Sequence, residues 1–245
     1  MKYTVYTVLK HNIIKVDYLS DEKMLQHAYT QAQAKAPHTH RNNPSARRRT
    51  EQEVFNSQYL GTIADIACSV LLQKHLDKYG TKQLLVERYD DIRSDNFRNA
   101  DQFDARVILG DENRILTEIE IRSSVCNRVS LARMLEVFDV LGWYTTANKP
   151  GEQKRDFYMR PVYHYNKYQT GQAYAVANAE QYLLNDELDL YIVGGATADI
   201  LQTKGEIQRG FGLLQEGATY QVVDILDALD APAFLDTVLK FCEVK

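Results

Sequence analysis

The sequence lacks the features that mark membrane, secreted and zinc-binding proteins. No run of about 18 apolar residues occurs, so no transmembrane helix is predicted. The first residues lack an apolar core with a small-residue cleavage site, and a cytoplasmic protein is expected. Cys68, Cys126 and Cys242 are too few and too widely spaced for a zinc motif or a disulfide framework.

Two more absences restrict the catalytic chemistry. The glycine-containing stretch "YIVGGATADILQTKGEIQRGFG" lacks the spacing and the Lys-Ser/Thr pair of a phosphate-binding loop. The six histidines are scattered and carry no local signature of a Ser-His-Asp or Cys-His arrangement. Phosphate-loop enzymes and hydrolases with an activated Ser or Cys nucleophile are therefore not indicated.

Acidic residues are absent between Glu22 and Glu51, and a basic segment occupies that gap. The formal net charge of the chain is −4, so the cations are concentrated locally. Arginine neutralises DNA phosphates, and arginine and asparagine also read base edges. The candidate DNA-binding residues are His40, Arg41, Asn42, Asn43, Arg47, Arg48 and Arg49, with Asn127 and Arg128 as further candidates.

The order of predicted helices and strands indicates one α/β domain of 245 residues with a mixed central β-sheet flanked by helices. Residues 1–49 are predicted to form an N-terminal hairpin, a helix capped by Ser20 and a basic loop. Residues 50–145 form the core, and residues 146–245 complete the sheet and add a C-terminal helix. A helix is expected in "SLARMLEVFDVLGWY", and Pro161 predicts an edge strand in "FYMRPVYHYNKY".

A long helix is predicted to begin at Thr50, which forms a capping box with Glu53, and to end near Tyr79 before Gly80. Between residues 54 and 73 its only charged residue is Asp65. Gly61 lies one turn earlier, and a glycine inside a helix costs about 1 kcal/mol relative to alanine. We interpret Gly61 as a position that another backbone or a ligand approaches closely.

A hairpin is predicted in "QFDARVILGDENRILTEIEIRSS", residues 102–124. Side chains alternate between the two faces of a strand, so one face of the hairpin is apolar. It carries Ala105, Val107 and Leu109 of the first strand and Ile115, Ile119 and Ile121 of the second. The other face carries Asp104, Glu118, Glu120 and Arg122. Loops of residues 110–112 or 111–113 fit, and they place Asp104 across from Glu118 or Glu120 respectively. Opposed carboxylates repel, and Mg²⁺ would neutralise them.

The order "QYLGTIADIA", "LLVER", "FDARVI" and "EIEIRSS" resembles the PD-(D/E)XK nuclease superfamily, most closely the type II restriction endonucleases. The resemblance covers about residues 50–145. It implies Mg²⁺-dependent hydrolysis of DNA, with Asp104 and Glu120 as metal ligands and Asp65 as the helix acid. Arg122 stands where lysine is usual and cannot act as a base. In an alternative version of the motif, Glu118-Ile119-Glu120, Glu118 is a ligand.

We therefore expect a Mg²⁺-dependent DNA endonuclease that binds double-stranded DNA and acts as a homodimer, so that two sites cut two strands. The alternative is a non-catalytic DNA-binding or assembly protein on a nuclease-like scaffold, which the Arg122 departure favours.

Overall fold

A computed structural model describes residues 1–39, 41, 48–144, 153–170, 173–207 and 220–245. The strands are β1 (Lys2–Val8), β2 (His11–Asp17), β3 (Leu84–Arg88), β4 (Ala105–Leu109), β5 (Arg114–Ile121), β6 (Ser124–Cys126), β7 (Asp139–Tyr144), β8 (Phe157–Tyr165), β9 (Leu188–Thr197), β10 (Glu206–Ile207) and β11 (Tyr220–Asp224). The helices are α1 (Glu22–Lys35), α2 (Glu51–Tyr79), α3 (Tyr89–Ile92), α4 (Leu131–Val137), α5 (Ala179–Leu184), α6 (Ala198–Thr203) and α7 (Ala231–Val244). Among these residues, no helix combines the length and apolar character that crossing a membrane requires.

The central sheet has the strand order β1-β2-β9-β8-β5-β4-β3, and β6 also pairs with β8. Strand β8 runs parallel to β5 and β6 but antiparallel to β9, so the sheet is mixed. The predicted fold class, a mixed sheet flanked by helices, is confirmed.

The predicted N-terminal hairpin is present and extends the central sheet, because β2 pairs with β9. Its turn consists of Leu9 and Lys10, which have φ values of 52° and 64°. A two-residue turn whose twist matches that of its strands requires two successive residues with positive φ.

Helices α1 and α2 begin and end close to their predicted bounds. The capping box of α2 is formed: the Thr50 hydroxyl accepts from the Glu53 N–H at 3.2 Å, and the Glu53 carboxylate accepts from the Thr50 N–H at 2.8 Å. At α1 the predicted cap was wrong by one residue. Asp21 is the N-cap, since its carboxylate accepts from the Met24 N–H at 3.1 Å.

Two predictions for the second half of the chain were wrong. The expected helix after residue 130 ends at Val137, and its apolar continuation is strand β7. Strand β8 is central rather than at an edge. Pro161 is tolerated there because the β8–β9 register shifts between Met159 and Pro161, and because the pairing with β5 stops at Met159.

Each face of the central sheet is covered by a different layer. One core joins β4, β5, β8 and β9 to α2 and α7. The core on the other face joins β8 and β9 to α4, β7 and β11. Strands β7, β10 and β11 form a second, three-stranded sheet. The central sheet is therefore buried on both sides near β8 and β9.

Gly194 is required where β9 meets the start of α7. Its φ is +123°, and an added Cβ would overlap the carbonyl oxygen of Leu229. The backbones of Gly195 and Leu229 exchange two hydrogen bonds of 3.0 Å at this point. A side chain at position 194 would separate β9 from the segment that leads into α7.

Replacing Gly194 with alanine is expected to lower the free energy of unfolding by about 1–3 kcal/mol from backbone strain alone. Gly61→Ala is the control, because an added Cβ there meets no described atom within 4 Å. That control should leave stability unchanged or raise it by about 1 kcal/mol. Chemical denaturation measures both; equal stabilities for the two variants would contradict the role given to Gly194.

Candidate active site

The hairpin β4–β5 carries the site, and near the site its register is the second of the two considered from sequence. Ala105 pairs with Ile119, and continuing this register by one residue places Asp104 across from Glu120. A bulge follows between Val107 and Ile108, so the loop has four residues, 110–113. The two predicted three-residue loops were wrong, although the second gave the right partner for Asp104.

The bulge also changes which side chains are buried at the loop end of β5. Ile115, predicted on the apolar face, has 49% of its surface exposed, whereas Leu116 has 3% exposed. Nearer the site the alternation is regular, with Ile119 and Ile121 buried. Glu120 and Arg122 therefore point to the opposite face of the sheet, as predicted.

Asp104 is a carboxylate with one fixed hydrogen bond. Its Oδ2 accepts from the Ile121 N–H at 2.5 Å. Burial raises the pKa of Asp104 well above its usual value, and the negative charges of Glu120 and Asp65 raise it further. The Ile121 N–H and the Arg122 guanidinium act in the opposite direction. The ionised form of Asp104 is therefore disfavoured until a further positive charge arrives.

Asp65 joins this group from helix α2. Burial raises the pKa of Asp65 to about 7, against the lowering effect of the cations of Lys35 and Arg88. Asp90 and Asp101 raise it as well. Asp65 also raises the pKa of Asp104, so the helix acid and this hairpin acid interact electrostatically. The role of Asp65 as the helix acid of a nuclease site stays a prediction.

Arg122 is held in place from several sides. Its Nη2 lies 3.2 Å from Oε1 of Glu120. Its guanidinium lies 5.0 Å from the ring centroid of Tyr144 and 5.2 Å from that of Tyr220. Its carbonyl oxygen accepts from Nη1 of Arg160 at 2.6 Å. These contacts fix Arg122 as a permanent positive charge beside Glu120.

Glu118 has a different environment. It forms an ion pair with Arg155 and lies across the hairpin from Arg106, which pairs with Glu87 at 2.8 Å. Its charge is compensated without a metal ion, so the structure does not join Glu118 to Asp104 and Glu120. Its role as a metal ligand stays a prediction.

Arg155 is the site residue that sequence reasoning missed. It lies in "TTANKPGEQKRD", which predicts only a loop, and residues 145–152 of that stretch are outside the described residues. Strand β8 begins two residues later and pairs in parallel with β5 through Phe157 and Ile119, which brings Arg155 to Glu118. No local signal in the sequence announces this pairing.

The candidate DNA-binding residues are only partly described. His40, Asn42, Asn43 and Arg47 lie outside the described residues. Arg41 pairs with Glu51 at 2.6 Å, and its carbonyl oxygen accepts from the Arg49 N–H at 2.8 Å. Arg48 is exposed, as is Arg128 after β6, while Asn127 is half-buried. Their contact with DNA stays a prediction.

The acids of this site could hold Mg²⁺ as a pair of carboxylates. No group of three or more His, Cys, Asp or Glu side chains in the described part of the chain is arranged to hold a metal ion. The adjacent carboxylates of Asp104 and Glu120 are the pair that fits, because Mg²⁺ is usually held by one or two carboxylates together with waters and substrate phosphate. A site completed by the substrate is compatible with these residues.

Comparison with known proteins gives one relative and no activity. No family model matches the chain, and no solved structure matches it. The chain is similar to the "Uncharacterized protein MJECS01" of Methanocaldococcus jannaschii, with 30% identity over 246 residues. The match spans 89% of this chain and 84% of the relative.

Asp104→Asn is expected to raise the thermal midpoint at pH 8 and leave it nearly unchanged at pH 4. A carboxyl group with a raised folded pKa contributes stability below its unfolded pKa of about 3.9, and that stability is lost as the pH rises through the folded pKa. Asparagine keeps an acceptor for the Ile121 N–H and lacks the charge. Melting curves in EDTA across this pH range measure the effect.

Glu118→Gln serves as the control for that measurement, because its charge is already paired with Arg155. It should not raise the midpoint at pH 8. If Asp104→Asn melted well below the wild type at pH 8, the ionised form of Asp104 would not be destabilised by burial and by the neighbouring acids.

Proposed function

This chain belongs to the same family as protein MJECS01 of Methanocaldococcus jannaschii, and we propose that it is a Mg²⁺-dependent DNA endonuclease of the type II restriction kind. The observation that carries the proposal is the cross-strand pair of Asp104 and Glu120, with Asp65 as a third interacting acid. Burial raises the pKa of Asp104, the charges of Glu120 and Asp65 raise it further, and perturbed acids of this kind cluster at functional sites.

Asp104 and Glu120 are the residues that would hold Mg²⁺. When bound, the ion would supply positive charge that polarises a scissile phosphate. Arg122, fixed beside Glu120, would stabilise negative charge that develops on that phosphate. Asp65, with a pKa of about 7, is suited to accept a proton near neutral pH.

The geometry favours one of the two motif assignments. Asp104 lies across from Glu120 and not from Glu118, and Glu118 is neutralised by Arg155. These contacts support Glu120-x-Arg122 as the working element in place of Glu118-x-Glu120. Arginine at this position supplies charge but no proton transfer.

The basic segment would bind the DNA backbone away from the reacting phosphate. Helix α2 rises about 1.5 Å per residue, so its start near Arg48 and Arg49 lies about 22 Å along the axis from Asp65. The arginines before the start of α2 and Asp65 within it would thus face different phosphates of a duplex. Two copies acting as a homodimer would cut both strands, and we propose a cytoplasmic location for this activity.

The second candidate is a DNA-binding or assembly protein without catalysis. The ion pair between Glu120 and Arg122 favours it, because the arginine already neutralises one of the two carboxylates offered to a metal ion. Metal binding separates the two candidates. An active site should gain affinity for Mg²⁺ as the acids ionise, and a non-catalytic scaffold should not.

Plasmid cleavage by the wild type is expected with Mg²⁺ and not with EDTA, and Asp104→Asn and Glu120→Gln should each abolish it. Glu118→Gln should keep substantial cleavage, since its charge is paired with Arg155. Agarose gels of a mixed-sequence plasmid provide the measurement. Loss of cleavage in Glu118→Gln alone would reverse the motif assignment, and a wild type that never cuts while binding DNA would favour the scaffold.

Replacing Arg47, Arg48 and Arg49 together by alanine should weaken DNA binding for all sequences. Each phosphate that the variant no longer neutralises should reduce the slope of log K against log salt by about 0.9. Arg114→Ala is the matched control, because Arg114 is a surface arginine paired with Glu112 at the opposite end of the hairpin. Fluorescence anisotropy at several salt concentrations measures both slopes; identical slopes would place the clamp elsewhere.

A further inference from the structure

Gly61 is a glycine that the described protein does not explain. It lies inside α2, where glycine destabilises a helix relative to alanine. A Cβ added at Gly61 would meet no described atom within 4 Å. The expected close approach of another part of the protein is therefore not found among the described residues, and the space beside Gly61 has room for a ligand.

The surroundings of Gly61 connect a cavity to the candidate active site. Gln58 lies three residues before it and Asp65 four residues after it, so the three positions share one face of α2. Gln58 lines a cavity of about 310 Å³ together with Lys35, Arg93, Phe97, Arg98 and Asp101. Lys35 also interacts electrostatically with Asp65, which links one wall of the cavity to the helix acid.

The loop of residues 93–101 that forms one wall of the cavity has an unusual backbone. Asn96 and Phe97 have φ values of 52° and 61°. A bulky residue in the left-handed region is strained, and such strain persists where the surroundings enforce it. Asp95 enforces it here by accepting from the N–H and the side chain of Asn99 at 3.0 and 2.9 Å, and by pairing with Arg93 at 2.7 Å.

The lysine and arginine side chains that line the cavity differ in their ion pairing. Lys35 pairs with Asp90, and Arg93 pairs with Asp90, Asp95 and Asp101. Arg98 is exposed, and its side chain has no ion pair or hydrogen bond to the residues that the structure describes. Among the described residues that line the cavity, Asp101 is the acid, and its charge is paired with that of Arg93.

We propose that the α2 face at Gly61 and the 93–101 loop bind a backbone phosphate of the DNA substrate next to the one that is cut. This inference rests on the proposed function. The absent side chain at Gly61 lets the phosphodiester backbone approach the helix, and Arg98 supplies the charge-assisted hydrogen bonds. An exposed guanidinium at a cavity that Lys35 and Arg93 also line suits the negative charge of a phosphate ester.

The test compares size variants at Gly61 with a charge variant at Arg98. Gly61→Ala and Gly61→Leu should keep or raise the thermal midpoint, because both residues favour helix more than glycine does. Arg98→Ala should weaken binding of a duplex oligonucleotide by about tenfold, the loss expected for a hydrogen bond to a charged group. Gly61→Leu should also weaken binding, because its side chain would block the approach of the phosphodiester backbone. Arg98→Ala should also lower the salt slope by about 0.9, and Arg98→Lys should restore the slope.

Lys78→Ala is the matched control, since Lys78 is an exposed cation of the same helix more than three turns beyond Asp65. It should bind DNA like the wild type. Binding is measured by fluorescence anisotropy in EDTA and in Mg²⁺, and cleavage of the plasmid is measured in parallel.

The outcomes distinguish this inference from the proposed function. A wild type that neither binds nor cuts DNA overturns both. A wild type that binds DNA, with Gly61→Leu and Arg98→Ala binding equally well, overturns the phosphate site and leaves the endonuclease proposal standing. If Gly61→Leu does not fold, Gly61→Ala and Arg98→Ala decide the question, and normal binding by both overturns the phosphate site.

Discussion

The register of strands β4 and β5 is the constraint on which the candidate site depends. A slip of one residue would turn every side chain of β5 to the other face of the sheet. Leu116 is the extra residue at the bulge, and its side chain is buried at the loop end of β5. The bulge leaves the pairing of Ala105 with Ile119 unchanged. Burial of the apolar side chains on one face of the hairpin therefore fixes the register that places Asp104 across from Glu120 on the other face. No attraction between the two acids is needed.

The acids are held together against their own repulsion by the core around them. Asp104 lies between buried Phe103 and Ala105, and Asp65 lies in the most deeply buried part of α2. Arg122, Lys35 and Arg88 compensate this charge only in part, because the pKa of each acid remains raised. A fold that keeps such a group carries a cost to its stability, and sites that bind cations or substrates commonly carry one.

Sequence reasoning succeeded where the determinant is local. The capping box at Thr50, the two-strand N-terminus and the shared face of Glu120 and Arg122 follow from residues close in sequence. It failed where the determinant is a distant strand. Three features depend on which strands pair: the length of α4, the central place of β8 despite Pro161, and the ion pair between Arg155 and Glu118. Neither Pro161 nor Arg155 carries a local signal that identifies the strand beside it.

Arginine at position 122, where the resemblance implies lysine, leaves the acid–base chemistry of the proposed reaction to the carboxyl groups. Arg122 is stacked on two tyrosines and bonded to Glu120, and an arginine does not release its proton in a protein. Asp65 and Asp104 both have raised pKa values. Asp104 must be ionised to bind a cation, so it cannot also deliver a proton in the loaded site. Asp65, with a pKa of about 7, is therefore the group that we propose takes up a proton, and its place on α2 one turn from Gly61 puts it near the proposed path of the DNA backbone.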